Sequence, residues 1–282
     1  MASPVADIFR QAAELNNKDG RRQGNVVHIE PGADVVVSGD IHGNRSALGK
    51  VLGCLDKPSK LPRRIILQEL IHGPLDAESG QDRSVELLLR SARAKVADPE
   101  RVIFLMGNHD LAQISGNEIA KDGRNVCEAF VAGVRFAFED QAEEILPAIS
   151  DFLLSMPLAA RTPGGTFMAH SLPSPSRMEL AGTEILSRPY APTDFGRGCP
   201  LYEWLWGRGQ SDAQLDSLAA ELGVNFFVLG HRHTAAGCEA IAARAVTLAS
   251  DHEHGCLLHF TSDQALDAQT VVMSAIPLVA LE

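Results

Sequence analysis

The chain has 282 residues, 45% of them apolar and 22% charged, ordinary proportions for a globular protein with a sizeable buried core. Its formal net charge of −11 argues against a partner that is a nucleic-acid polymer, and it requires any phosphate site to be made positive locally, by metals or placed arginines. Five cysteines without a CxxC pair read as reduced thiols, no apolar run approaches the ~18 residues of a membrane span, and the N-terminal segment carries acids but no apolar stretch, so a cytoplasmic protein with no membrane partner and no secretory leader is expected.

In chain order, a short helix is expected over residues 9–15, followed by a polar and mobile stretch over 16–25. Buried strands are expected at VVVSGD (35–40), IILQEL (65–70), VIFLMGN (102–108), TFMAHS (166–171) and NFFVLGH (225–231). Between them, Val85, Leu88, Leu89, Ala92 and Val96 form one helical face, stopped by Pro99; Ile145, Ile149, Phe152, Leu153 and Met156 form another. A third helix starts at Ser211, with Gln214 completing a capping box, buries Leu215, Leu218 and Leu222 and ends at Gly223. Strands alternating with helices imply an α/β fold. No repeat, low-complexity tract or long linker interrupts the chain, so residues 1–282 are expected as one domain, with a helix and polar loop over 1–30 and a Pro- and Ser-rich substrate-side loop over 172–198.

Metal-friendly residues recur just after the strands: Asp40 and His42, residues 69–72, Asn108 to Asp110, His170, and His231 to His233. The C-terminal edge of the strands is where α/β folds bind ligands, so separate clusters arriving there can converge. In GDIHGN (39–44), Asp40 and His42 occupy alternate positions, with glycines that let the backbone turn; oxygen plus nitrogen suits Mn, Fe or Zn, while the same residues also suit a helix cap and a loop histidine. In MGNHDLAQ (106–113), Asn108 offers an amide oxygen, His109 an imidazole and Asp110 a carboxylate.

The order GDxHGN, GNHD, His, GH resembles the calcineurin-like metallophosphoesterases, and within them the branch of Ser/Thr protein phosphatases and diadenosine tetraphosphatases, over residues 35 to about 235. The resemblance implies a four-layer α/β/β/α sandwich and two divalent metal ions, Mn, Fe or Zn. Asp40 and His42 would hold the first metal, and Asn108, His170 and His231 the second. Glu69 would bridge them, standing in LQELIHGP (67–74) where the family has the first Asp of GDxxDRG. In the same stretch His72 replaces the second acid, which in the family pairs with the catalytic histidine, and the arginine is missing; Asp76 and Asp110 are candidates for the lost acid. LWGRG (205–209) is similar to a tryptophan–arginine element of the family, which would make Arg208 a phosphate ligand. The second histidine of GHRH, His233, is a further candidate for the first metal, whereas His252 and His254 read as loop residues at the edge of the site.

The activity implied is hydrolysis of a phosphomonoester by hydroxide bound between two metals, with His109 as general acid and Arg208 offsetting phosphoryl charge. The partner would be a phosphorylated substrate, a phosphoprotein or a nucleotide. Two other readings stand beside it. A nucleotide or dinucleoside-polyphosphate hydrolase would use an aromatic from Trp204, Trp206, Tyr190 and Tyr202 to stack a base. A non-catalytic metal-binding scaffold would follow if the altered 67–74 stretch had ended turnover.

Overall fold

A computed structural model describes residues 3–116, 119–121 and 123–281, so the N-terminal segment is seen from Ser3 and residues 117, 118, 122 and 282 lie outside the description. Its strands are β1 (Arg22–Gln23), β2 (Val26–His28), β3 (Asp34–Asp40), β4 (Arg63–Gln68), β5 (Val102–Leu105), β6 (Ala120–Lys121), β7 (Arg124–Asn125), β8 (Ala159–Arg161), β9 (Thr166–Ala169), β10 (Phe226–Leu229), β11 (Cys238–Ala242), β12 (Ala245–Leu248), β13 (Cys256–Thr261) and β14 (Ile276–Pro277). The α-helices are α1 (Pro4–Asn17), α2 (Arg45–Gly53), α3 (Ser84–Ala97), α4 (Asn108–Ser115), α5 (Val126–Phe138), α6 (Ala142–Leu154), α7 (Met178–Ala181), α8 (Pro200–Trp206), α9 (Asp212–Leu222) and α10 (Ala268–Ser274).

One sheet has the order β14-β13-β3-β4-β5 and the other β1-β2-β8-β9-β10-β12-β11. Side chains alternate between the faces of a strand, and the alternation here builds two separate apolar layers. Val35, Val37, Ile66, Ile103 and Leu105 from one sheet meet Met168, Phe226, Val228 and Val246 from the other, which glues the sheets face to face. The intervening residues, Val36, Ile65, Leu67, Val102 and Phe104 from one sheet and Phe167, Phe227 and Leu229 from the other, join the buried apolar residues of the helices, with α3 against β5 and Phe104 edge to Phe152 of α6. Phe167 contacts Trp204 and Phe227 at ring-centroid distances of 6.4 and 6.0 Å. Truncating such a ring costs about 3–5 kcal/mol, so Phe167→Ala alone would threaten this outer layer. The result is the four-layer α/β/β/α sandwich that the family resemblance implies.

β3, β4 and β5 run parallel, as do β9, β10 and β12, so their C-terminal ends meet at one edge of the sandwich. That edge is clamped. Asp40 pairs with Ala249 in an isolated parallel bridge, the Ser250 N–H donates to the Asp40 carbonyl (3.0 Å), and the Gly39 N–H donates to Ser250 Oγ (2.9 Å). A Cβ at Gly39 would overlap the Leu248 carbonyl, so only glycine lets β3 approach β12 this closely.

The N-terminal reading needs correction. The first helix runs over Pro4–Asn17 rather than 9–15, with Pro4 in its first turn. The stretch 16–25 is structured: buried Asn16 donates through Nδ2 to Ser155 Oγ (2.9 Å), and β1 pairs with β2, which in turn pairs with β8. Four expected strands stop early, at Gln68, Leu105, Ala169 and Leu229, so that Glu69, Asn108, His170 and His231 stand beyond them. The third helix has half of its capping box. Ser211 Oγ accepts from the Gln214 N–H (3.3 Å), but Gln214 Nε2 donates to the Pro173 carbonyl instead of returning to the cap. The 172–198 segment contains α7 and several single turns; Asn25 Nδ2 donates to its Ile185 and Arg188 carbonyls (2.9 and 2.8 Å).

Candidate metal centre

The strand ends deliver their donors through strained backbone. Among the described residues, five non-glycine residues have positive φ, and four of them are His42 (41°), Glu69 (46°), His72 (60°) and His231 (64°). Such conformations cost about 1–3 kcal/mol each and persist where the surroundings over-determine them. Each sharp turn lifts a side chain off the end of a strand and into the space between the sheets' edges.

Asn108, His170 and His231 meet at one point. Asn108 Oδ1 lies 2.7 Å from His170 Nε2 and 2.8 Å from His231 Nδ1, and the two ring nitrogens are 3.2 Å apart. The tautomer of His170 follows from the group behind it. Gln68 donates through Nε2 to the Ser38 carbonyl (2.9 Å), which leaves its Oε1 to accept from His170 Nδ1 (3.1 Å). A neutral His170 therefore presents a bare Nε2 to an amide oxygen that is itself an acceptor. Two lone pairs held 2.7 Å apart are repulsive unless a cation lies between them. The donor set fits a divalent transition metal.

The other side has the same logic. His42 Nδ1 donates to the Ile71 carbonyl (3.0 Å), so its bare Nε2 faces Glu69 Oε2 at 3.7 Å. Glu69 is buried, its Oε1 accepts from the His109 N–H (3.0 Å), and its Oε2 has no hydrogen-bond partner. Burial, Asp110 and Asp40 push Glu69 well above the usual carboxylate range, against the backbone N–H donors. It stays ionised only beside compensating positive charge. His42, Glu69 and His109 bring ligand atoms within 4.8 Å of one another. Asp40 completes the set: both its oxygens accept from the His231 N–H (3.1 and 3.0 Å), and Oδ1 stands 3.5 Å from His170 Nδ1. Burial opposes its ionisation, but His170, His42 and that N–H hold it well below the usual range.

Two glycines make room for these carboxylates. A Cβ at Gly107 would overlap Glu69 Oε1, and one at Gly230 would overlap Asp40 Oδ1. Gly107, which the sequence reading does not single out, leaves space for the glutamate. Gln68 is also missed, because an amide next to a strand end has no signature of its own.

The candidates for the lost second acid go elsewhere. Asp76 accepts from the N–H and Oγ of Ser79 (2.9 and 2.8 Å) in an exposed turn. Asp110 is buried and caps α4 by accepting from the Gly107 N–H (2.9 Å); burial and Asp40 raise it to about 7. His72 Nδ1 instead lies 2.8 Å from His109 Nδ1, and His72 Nε2 lies 2.9 Å from Gln113 Oε1. Burial, then His42, His72 and His170, lower His109 far below the usual histidine range.

At the mouth, Arg208 is exposed and forms no ion pair among the described residues; partial burial and nearby Arg232 lower it, while Asp40 raises it. Of the four aromatics, Trp204 is buried and donates Nε1–H to the Gly182 carbonyl (2.8 Å), and Tyr190 donates to the Met156 carbonyl (2.9 Å). Trp206 reaches the donors, edge to His231 at 6.1 Å, and Tyr202 stacks on it at 5.4 Å. His233 is exposed and forms a separate group with Asp251 and His252. His252 Nε2 is engaged by the Thr234 carbonyl (2.9 Å), and the His254 N–H donates to His252 Nδ1 (3.2 Å).

A family model described as calcineurin-like phosphoesterase matches residues 33–235. A protein serine/threonine phosphatase from Saccharomyces cerevisiae, with similarity to human phosphatase PP5, is similar in structure over 91% of this chain and 82% of its own, at 17% identity and a TM-score of 0.63. A cold-active protein-tyrosine phosphatase from a psychrophilic Shewanella is similar over 90% of this chain and 81% of its own, at 15% identity and a TM-score of 0.58. At these identities the likeness is one of fold. No curated protein matches the sequence significantly. No helix among the described residues is long and apolar enough to cross a membrane.

Proposed function

The chain belongs to the calcineurin-like phosphoesterases, and from that premise we propose that it is a phosphomonoesterase, akin to the Ser/Thr protein phosphatases, that works with two divalent ions, Mn, Fe or Zn. Asp40 and His42 would hold the first ion, Asn108, His170 and His231 the second, and Glu69 both, with His233 left at the rim. The observation that carries this reading is Asn108 Oδ1 held 2.7 Å from His170 Nε2, with Glu69 Oε2 left without a hydrogen-bond partner 3.7 Å from His42 Nε2 on the other side; a cation on each side satisfies these atoms. Bound there, the ions would acidify water and offset phosphoryl charge.

The chain's own residues then divide the work. A water oxygen bonds to phosphorus while the ester P–O bond breaks and leaves its electron pair on the departing oxygen. His109 supplies the proton to that oxygen. Since burial disfavours its charged form, the negative phosphate brought into the site helps to hold the proton on it. Arg208, with Arg232 nearby, pairs with the phosphoryl oxygens and answers the chain's overall negative charge. The stacked Trp206 and Tyr202 beside His231 favour, as a second reading, a nucleotide or dinucleoside polyphosphate as substrate.

The test is metal analysis of the purified protein together with turnover of p-nitrophenyl phosphate, phosphopeptides and dinucleoside polyphosphates. Two bound ions and hydrolysis of phosphopeptides are expected. Preference for dinucleoside polyphosphates would favour the second reading, and bound metal without turnover of any ester would leave a metal-binding scaffold.

A further inference from the structure

Resting on the phosphoesterase reading, we infer that Gln113 is a positioning residue that sets the tautomer of His109 through His72. Three side chains stand in line. Gln113 Oε1 is 2.9 Å from His72 Nε2, and His72 Nδ1 is 2.8 Å from His109 Nδ1. An amide oxygen only accepts, so His72 carries its proton on Nε2. Its Nδ1 is then a lone pair, which accepts from His109 Nδ1–H. That leaves His109 Nε2 as the nitrogen available to the leaving oxygen.

The surroundings hold this line in place. His109 and Gln113 are one turn apart on α4 and share a face, with His72 reaching between them. The His72 N–H donates to Ser84 Oγ (3.1 Å), and its buried ring stands edge-on to Phe130 at 5.8 Å. His42 packs edge-on against His109 from the other side at 4.7 Å.

The chemistry explains why a third residue is needed. A carboxylate beside His109 Nδ1 would accept whatever its own environment. An imidazole accepts there only in one of its two neutral tautomers. In the other, two N–H groups would face each other at 2.8 Å. Gln113 removes that choice. In the resting protein the line is neutral and orients His109 without lending it negative charge; the proton that His109 gives up is taken on at Nε2 when the negative phosphate enters.

Nitrogen-15 NMR of histidine tautomers tests this on the metal-free and zinc-loaded protein, independently of turnover. The expected result is Nε2–H on His72 and Nδ1–H on His109, with both signatures lost in Gln113→Leu. In kinetics, Gln113→Leu should lower kcat for alkyl phosphates on the order of tenfold at unchanged KM, and for p-nitrophenyl phosphate, whose leaving group needs no proton, by less than about threefold. Gln113→Glu, which keeps an acceptor oxygen, should recover most of the loss and the wild-type tautomers. Wild-type protein with Nδ1–H on His72, or Gln113→Leu with unchanged tautomers and equal losses on both esters, would overturn the inference. An unreactive wild-type protein with the expected tautomers would instead refute the phosphoesterase reading.

Discussion

Asn108, His170 and His231 stand at the ends of one strand from the first sheet and two from the second, and the nitrogen of His170 is aimed by an amide, Gln68, whose own orientation is fixed by the Ser38 carbonyl. His42, Glu69, His72 and His109 stand on the other side, where residues 69–74 carry a glutamate, an imidazole and no arginine at the places where the family resemblance leads one to expect Asp, Asp and Arg. Both sides solve the same problem, which is to hold bare acceptor atoms together. The first does it with donors whose spacing follows from parallel strands. The second does it with space left at Gly107 and with a line of side chains that runs from His109 through His72 to Gln113. A departure in one loop is thus absorbed by residues that are distant in sequence.

The largest expected effect comes from the residue that joins the sides. Glu69→Gln keeps the shape and removes the charge, leaving two cations with less between them. Loss of at least one ion and a fall in turnover of roughly a thousandfold or more are expected; metal analysis paired with p-nitrophenyl phosphate kinetics checks it. Wild-type stoichiometry and rate would mean that the sides do not share an ion bridge at all.

His231→Ala strikes the first side alone. It should strip the ion next to Asn108 while the one next to His42 persists, at a cost on the order of several hundredfold in kcat. Equal loss of both ions on titration with a chelator would show that the sides are not separable.

On the second side, His109→Asn should leave metal content unchanged and lower kcat by about a hundredfold on alkyl phosphates but much less on p-nitrophenyl phosphate. Equal losses would make His109 a group that positions substrate and not one that gives a proton.

The smallest effect is the sharpest in geometry. Gly107→Ala places a methyl where Glu69 Oε1 lies and should lower stability by about 1–3 kcal/mol in thermal unfolding. Combined with Glu69→Asp, which withdraws the oxygen by one methylene, most of that loss should return. Additive effects would disprove the spatial trade between the two positions.

The first side was largely legible in the sequence, since apolar runs ending in His or Asn mark parallel strands that open on one edge. The second was legible only as a departure. Whether Asp76, Asp110 or His72 approaches His109 depends on turn geometry and rotamer, and Asp110 proves to be spent on the Gly107 N–H. Gln68 and Gln113 carried no signal, because an amide is common on any half-buried surface and acquires a role only from what faces it. The 16–25 stretch misled for a different reason: Asn16 is tied to Ser155, and β1 is joined through β2 to β8, more than a hundred residues away, and no local pattern announces those contacts.

The left-handed backbone at His42, Glu69, His72 and His231 has a consequence for anyone breeding hardier variants of this protein. Glycine at each position would relieve roughly 1–3 kcal/mol of conformational strain, and a heat-challenge library will favour it wherever that relief exceeds the loss of the side chain's packing. Every such gain would delete a proposed metal donor or the partner of His109. Selection therefore has to read turnover and endurance in the same round.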